Sequence, residues 1–304
     1  MTTALLDKKS LVEEFLKENN GHLSAYSFAN IFAWQDFFKF EFEIIDNNLC
    51  IFAHHDAGCF LYLPPLGKKV SPKAVTESFR IMNSVNKNPG VSHIENVSHQ
   101  LLPYFSDDQF SHFQKGHEYC YYRKDIAGLK GNAFKSKRAS YNHFIKNCRA
   151  QFLPYSENML SECTKLYDQW AEGRLTRYQD EIYGQMIEEN RRVHRLVLEF
   201  YKEIGLIGRV VCVDGKVKAY SFGYPLNKNN FCILFEIADL SLSGLAVYIF
   251  REFCAEREVE LYPFINVMDD FELGNIQKTK MSFRPAFLMP AYGITQKDRH
   301  ARRA

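Results

Sequence analysis

Phe38, Phe40, Phe42 and Ile44 alternate with Lys39, Glu41 and Glu43, the period-two pattern of a half-buried strand. Asp46-Asn47-Asn48 interrupts the run, and Leu49 to Ala53 returns as the second arm of a hairpin. Gly58 to Leu63 reads as a third strand, closed by Pro64-Pro65-Leu66-Gly67. Before them, Ser10 and Glu13 have the spacing of a capping box, which predicts a short helix through Lys17. After them come a helix from Pro72 to about Asn86, a strand from Val91 to Val97, a short helix, and a strand from His117 to Arg123. The order is helix, three antiparallel strands, helix, strand, helix, strand.

From Gln151 the pattern begins again. Gln151 to Tyr155 reads as a strand, followed by helices over 156–172 and 177–204. Leu206 to Val213 and Lys216 to Tyr224 form a hairpin about Asp214-Gly215, a strong turn signal. Phe231 to Ala238 is apolar without alternation, as in a strand covered on both faces. A buried helix over 244–256, a strand over 261–267, a helix over 273–283 and a strand over 285–294 complete the set; the basic tail QKDRHARRA is expected to fray.

Between the two repeats lies LKGNAFKSKRASYNHF, residues 129–144. Eight Lys and Arg against one acid fall between Cys120 and Ala150, in a chain whose formal charge is only +2. Such a run makes a local positive field that suits a polyanion, with Lys130, Lys135, Lys137 and Arg138 as the contacts; a solvated helix is the plain alternative. Interleaved aromatics such as Tyr141 suit stacking on nucleotides, or simply the inner face of a helix. The length implies about two domains, here 1–125, a basic linker helix over 126–149, and 150–304. The eight cysteines show neither a C-x-x-C pattern nor ligand spacing with histidine, so no metal site is expected and the thiols read as reduced core residues. The N-terminus carries charges where an export signal needs an apolar run. The longest apolar run, 231–250, contains Glu236 and Asp239, which argues against a membrane span. A cytoplasmic protein is expected.

The second element order resembles the Gcn5-related acetyltransferase fold, and the first a shortened version of it. The fold class is therefore α/β (α+β), with two tandem acyl-CoA N-acyltransferase-like domains of mixed, mostly antiparallel sheets flanked by helices. In such a fold the joint between strand and helix offers backbone N–H groups to a phosphate. Here the joint reads Ser241-Leu242-Ser243-Gly244-Leu245-Ala246, so Ser243, Gly244 and Leu245 become candidate donor-phosphate contacts, with tight packing as the alternative. The matching joint of the first repeat carries Pro64 and Pro65, which have no N–H to give.

Several motifs in order also resemble the C-terminal region of phosphatidylglycerol lysyltransferases, over nearly the whole chain. Ser27, Asn30 and Trp34 fall in its opening pattern. Gly131, Phe134, Lys137, Arg138, Asn142 and Phe144 fall in its basic motif. Glu236 and Asp239, then Asn266, Asp269, Asp270, Lys280, Ser282 and Pro285, match its later ones. Ile237, Met268, Glu272 and Gln277 depart from it. The resemblance implies tandem acetyltransferase-like domains that move an aminoacyl group from tRNA to a lipid headgroup, with no cofactor required beyond an aminoacyl-tRNA or acyl-CoA donor.

Acyl transfer needs a polarised carbonyl and a base. Glu236, Asp239 and Asp270 are the candidate catalytic acids, and Lys280 joins the phosphate contacts. Glu236 reads equally as an acceptor for backbone N–H groups, and Asp270 as a helix cap. Two functions remain open: an acyl- or aminoacyltransferase, or a non-catalytic module that binds RNA or an anionic membrane surface through its basic helix.

Overall fold

A computed structural model describes residues 2–19, 21–177 and 181–297; of the tail QKDRHARRA, expected to fray, Gln296 ends the last strand and the Lys297 amide donates to the Gln109 carbonyl, while 298–304 lie outside the described residues. The chain divides into two compact units. One holds residues up to 118, with 269–272 and those from 288; the other holds 119–268 and 273–287.

The first unit opens with helices α1 (Thr2–Leu6), α2 (Lys9–Glu18) and α3 (Phe28–Ala33). Ser10 does not cap α2, because the helix begins a residue earlier at Lys9. The six residues of α3 are all buried, and Ser27 Oγ accepts the Ala29 N–H at its start. Strands β1 (Lys39–Ile45), β2 (Asn48–His55) and β3 (Gly58–Leu61) run antiparallel. Asp46 and Asn47 both take positive φ, 49° and 60°, as a tight hairpin turn requires. Helix α4 (Pro72–Val85) follows, capped by Ser71 and begun by proline, and then β4 (His93–Ser98), which meets β3 in parallel at Leu61 and Ile94.

Strand β5 (Phe110–Tyr122) starts in the first unit and ends in the second. The second unit continues with α5 (Arg123–Gly128), α6 (Lys135–Asn147), β6 (Ala150–Pro154), α7 (Leu160–Arg177) and α8 (Glu181–Phe200). Then come β7 (Ile207–Val213), β8 (Lys216–Pro225), β9 (Asn230–Ala238), α9 (Leu245–Ala255), β10 (Phe264–Asn266) and α10 (Gly274–Met281). Strands β6 to β9 form an antiparallel meander, β10 lies parallel to β9, and the end of β5 lies antiparallel to β10. The second unit is thus a mixed α/β unit with a mostly antiparallel sheet flanked by helices.

The last strand, β11 (Phe287–Gln296), pairs antiparallel with β4 of the first unit. The closing strands are thus exchanged. The sequence reading assigned the strand over 117–123 to the first domain and that over 285–294 to the second. The pairings run the other way because Tyr119 and Tyr121 bury in a core with Phe250, Phe253 and Ile265. Helix α6 is likewise no free linker: Phe144 packs with Leu245 and Ile249 of α9 inside the second unit.

In the first unit the buried carboxylate of Glu118 accepts the Ser24 N–H, at 2.9 and 3.0 Å, and the Ser24 hydroxyl at 2.6 Å. Bonds to a charged acceptor are the strong ones. Glu118→Gln is expected to cost about 1.5–3 kcal/mol in chemical unfolding.

Candidate active site in the second unit

Strand β9 pairs with β10 only over Asn230 to Cys232. Its other edge stays paired with β8 as far as Ala238. From Ile233 onward one edge of β9 therefore has no strand beside it among the described residues, and unpaired strand edges present N–H and C=O groups in a row. A bulge opposite Phe222 and Gly223 shifts the register just before Glu236.

Glu236 stands on this open stretch, directly across from the buried Ser221 on β8. Its carboxyl has no hydrogen bond or ion pair among the described residues, and its side chain keeps only partial access to solvent. Burial pushes the acid up to about 8. The Cys254 thiol, on α9, is also raised by burial and then by the charge of Glu236, so the two groups share one region. Arg123 opposes that effect, and its guanidinium donates to the Cys254 carbonyl at 3.1 Å. Arg123 is 8% exposed and its Nε has no hydrogen-bond partner among the described residues.

Asp239 is occupied differently. Burial alone would raise its pKa, but hydrogen bonds from Lys218 and Ser241 outweigh this and hold it below the usual carboxylate range. Lys218 Nζ lies 2.7 Å away, while the Ser241 amide and hydroxyl both donate to the other oxygen. Asp239 is an ionised tie for the turn that leads into α9.

At the start of α9, Gly244 has φ +88°, and a Cβ there would lie 2.2 Å from the carbonyl oxygen of Ser140 on α6. Glycine is needed for close helix packing. Leu245 is buried, with its amide bonded to Leu242, and Ser243 is exposed. The first-turn amides of Ala246 and Val247 meet no acceptor among the described residues, the usual state of an uncapped helix start. Lys280 donates to the carbonyls of Val267 at 2.6 Å and Met268 at 3.3 Å, and so steadies the turn after β10 where Met268 takes φ +62°. Asp270 belongs to the first unit, where its buried carboxylate accepts the Glu272 amide.

The basic motif also separates into roles. Lys130 and Lys135 are exposed. Lys137 is half-buried, its ammonium 3.9 Å from the centre of the Phe283 ring. Arg138 donates to the carbonyls of Leu129 and Gly131, both at positive φ, and so locks the turn ahead of α6. Arg138→Glu is expected to lower unfolding stability by about 1.5–3 kcal/mol, whereas Lys135→Glu should change it by less than about 0.5 kcal/mol. Parallel denaturation curves make the comparison.

Sequence reading missed a buried pair on the α8 side of the sheet. His194 Nδ1 lies 3.0 Å from the Tyr220 hydroxyl, and its ring centre is 3.8 Å from that of Phe235. Burial drives His194 down to about 3, so it stays neutral. A lone histidine in a charged helix gave no local signal of this.

The sequence pattern of the family described as "Phosphatidylglycerol lysyltransferase, C-terminal" matches residues 18–294. The chain belongs to that family. Among solved structures, this lysyltransferase-family chain is similar to a conserved protein of unknown function from Bacteroides thetaiotaomicron, with 25% identity, TM-score 0.84, and 96% and 97% of the two chains covered. It also shares its fold with the C-terminal domain of a protein described as a lysylphosphatidylglycerol synthetase from Agrobacterium fabrum, at 13% identity, TM-score 0.69, and 99% and 94% coverage. L-PGS from Bacillus licheniformis is similar in fold at 16% identity, TM-score 0.66, and 95% and 92% coverage. No curated protein matches the sequence. Among the described residues no helix is long and apolar enough to cross a membrane.

Two departures from the lysyltransferase motifs acquire a physical setting. Ile237, where the resemblance leads one to expect lysine, is 3% exposed, so this chain fills a core position with an apolar group. Glu272, in place of glycine, holds φ +58°, a conformation that glycine adopts without strain.

Proposed function

We propose that the second unit transfers an acyl or aminoacyl group from a phosphate-bearing donor, an acyl-CoA or an aminoacyl-tRNA, to an amine or hydroxyl acceptor. The observation that carries this reading is Glu236: an unpaired carboxylate, raised by burial to about 8, on the open edge of β9. A carboxyl kept near neutral pH in its titration is suited to general-base work. Glu236 takes the proton from the acceptor as its nitrogen or oxygen attacks the acyl carbonyl. The bond from that carbon to the donor's sulfur or oxygen then breaks, and the leaving group departs with the proton that Glu236 gives back. The amides of Ala246 and Val247 are the donors that this reading assigns to phosphate. Lipid headgroups are the acceptors suggested by the family, in a cytoplasmic setting.

A second reading has support of its own. Arg138, Gly244 and Lys280 each have a structural use that explains their motif without catalysis. On that reading the exposed Lys130 and Lys135 hold RNA or an anionic surface. The test is transfer of radiolabel from acyl-CoA and from charged tRNA to amines, hydroxyls and phosphatidylglycerol vesicles. Transfer from either donor supports the enzyme. A chain that transfers from neither, yet binds tRNA or vesicles in a salt-sensitive way, establishes the binding module.

A further inference from the structure

Side chains of a regular strand alternate between its two faces, so positions 231, 233, 235 and 237 of β9 would share one. They do not. Phe231 and Ile233 pack with Phe250 and Phe253 of α9. Phe235 lies on the other face, its ring centre 3.8 Å from that of His194 on α8 and 5.5 Å from that of Phe222. Further along, Ala238 is back on the first face, packed with Leu245 and Ile249 of α9. The switch falls at Leu234. Gly223 pairs with Ile233 and Phe222 with Phe235, so β9 has one residue more than β8 over this stretch. Strand β8 keeps its own period, with Ala219 on the α9 side and Tyr220 and Phe222 on the α8 side. Glu236, across from Ser221, therefore takes the α9 side, in line with Ile233 and Ala238. Without the extra residue the alternation would turn Glu236 toward α8.

The α8 side grips this switch. His194 is itself fixed: its ring centre is 4.6 Å from that of Tyr167 on α7, and its Nδ1 lies 3.0 Å from the Tyr220 hydroxyl. The Tyr167 hydroxyl in turn donates to the Ile187 carbonyl at 2.7 Å. We propose that His194 and Phe235 are positioning residues for Glu236: the aromatic cage on the α8 side holds the bulge at Leu234, and the bulge turns Glu236 to the α9 side. The use of this device rests on the general-base reading above; its geometry does not. The groups facing Glu236 are Ser221 of β8 and the Cys254 thiol of α9, with Arg123 beyond the thiol. His194 lies across the sheet from them and acts mechanically, through Phe235.

The test uses the full chain with Phe235→Ala, which empties the cage, with His194→Ala, which removes one wall, and with His194→Phe, which keeps a ring there but loses the bond to Tyr220. Each is made with and without Glu236→Gln. Urea unfolding is followed from about pH 4 to about pH 9, beside the pH profile of radiolabel transfer. The difference between the members of each pair isolates the titration of this one carboxyl. A relaxed bulge lets water reach it, so its proton affinity is expected to fall about tenfold or more in Phe235→Ala and His194→Ala and to keep the parent value in His194→Phe. Should Phe235→Ala fail to fold, Phe235→Leu takes its place, with a smaller fall in the same direction. A loss of stability equal with and without Glu236→Gln at every pH overturns the proposal and leaves His194 and Phe235 as core residues. Transfer that depends on Glu236 but shows no such coupling keeps the base and strikes the positioning role. Coupling in a chain that transfers nothing does the reverse.

Discussion

Glu236→Gln is expected to lower transfer by about 10²–10⁴-fold, the usual contribution of a positioned base, while the folded chain remains as stable or becomes more so. The sign follows from the raised acid. In the unfolded chain this carboxyl titrates near 4.5, and in the fold near 8. Across that window the unfolded state gives up its proton while the folded state keeps it, so stability contributed by the group is full below 4.5 and is lost as pH rises to about 8. Glutamine has no such slope. The variant should therefore gain on the parent between those limits, by an amount on the order of a few kcal/mol at most. Transfer by the parent should rise with pH and level off above about 8, and the variant should lose that dependence. Chemical unfolding at several pH values, beside the radiolabel assay, reads both effects. A variant that is less stable throughout would make Glu236 a structural acceptor instead.

Gly244→Ala is expected to be the most damaging single-methyl change in the chain. The added carbon meets the Ser140 carbonyl at 2.2 Å, and the backbone already sits at φ +88°. The two penalties together should cost about 2–5 kcal/mol. Gly215 is the control. It has φ +74° in the β7–β8 turn but open space around it, so Gly215→Ala should cost only about 1 kcal/mol. Urea unfolding of the pair separates backbone strain from contact. Equal losses would mean that α6 gives way easily and that its approach to α9 is loose.

Most elements were legible because each rests on a local rule. The alternation over Lys39 to Glu43 and the Asp214-Gly215 turn are decided by residues close in sequence, and both appear where the pattern put them, although Ile44, in phase with Phe40 and Phe42, is exposed. The partner of β5 was not legible, since it depends on which core receives Tyr119 and Tyr121. The site behaved in the same way. Glu236 stood out as an acid in an apolar strand, whereas the tie between Arg138 and the Leu129 carbonyl, or between Lys280 and Val267, links a charge to a backbone group that has no letter of its own. Cations in a motif look alike in sequence whether they face a ligand or a carbonyl.

The exchange of closing strands has a consequence for synthesis on the ribosome. The sheet of the first unit needs β11, which leaves the exit tunnel only after the whole of residues 119–286. Until then β4 has an edge without its final partner, and the nascent first unit carries a pairing surface open to other chains. The second unit, by contrast, finds its β5 segment already made before its own first strand appears. Maturation is thus expected to run against the order of the letters: the later unit can close its sheet first, and the earlier one waits for it.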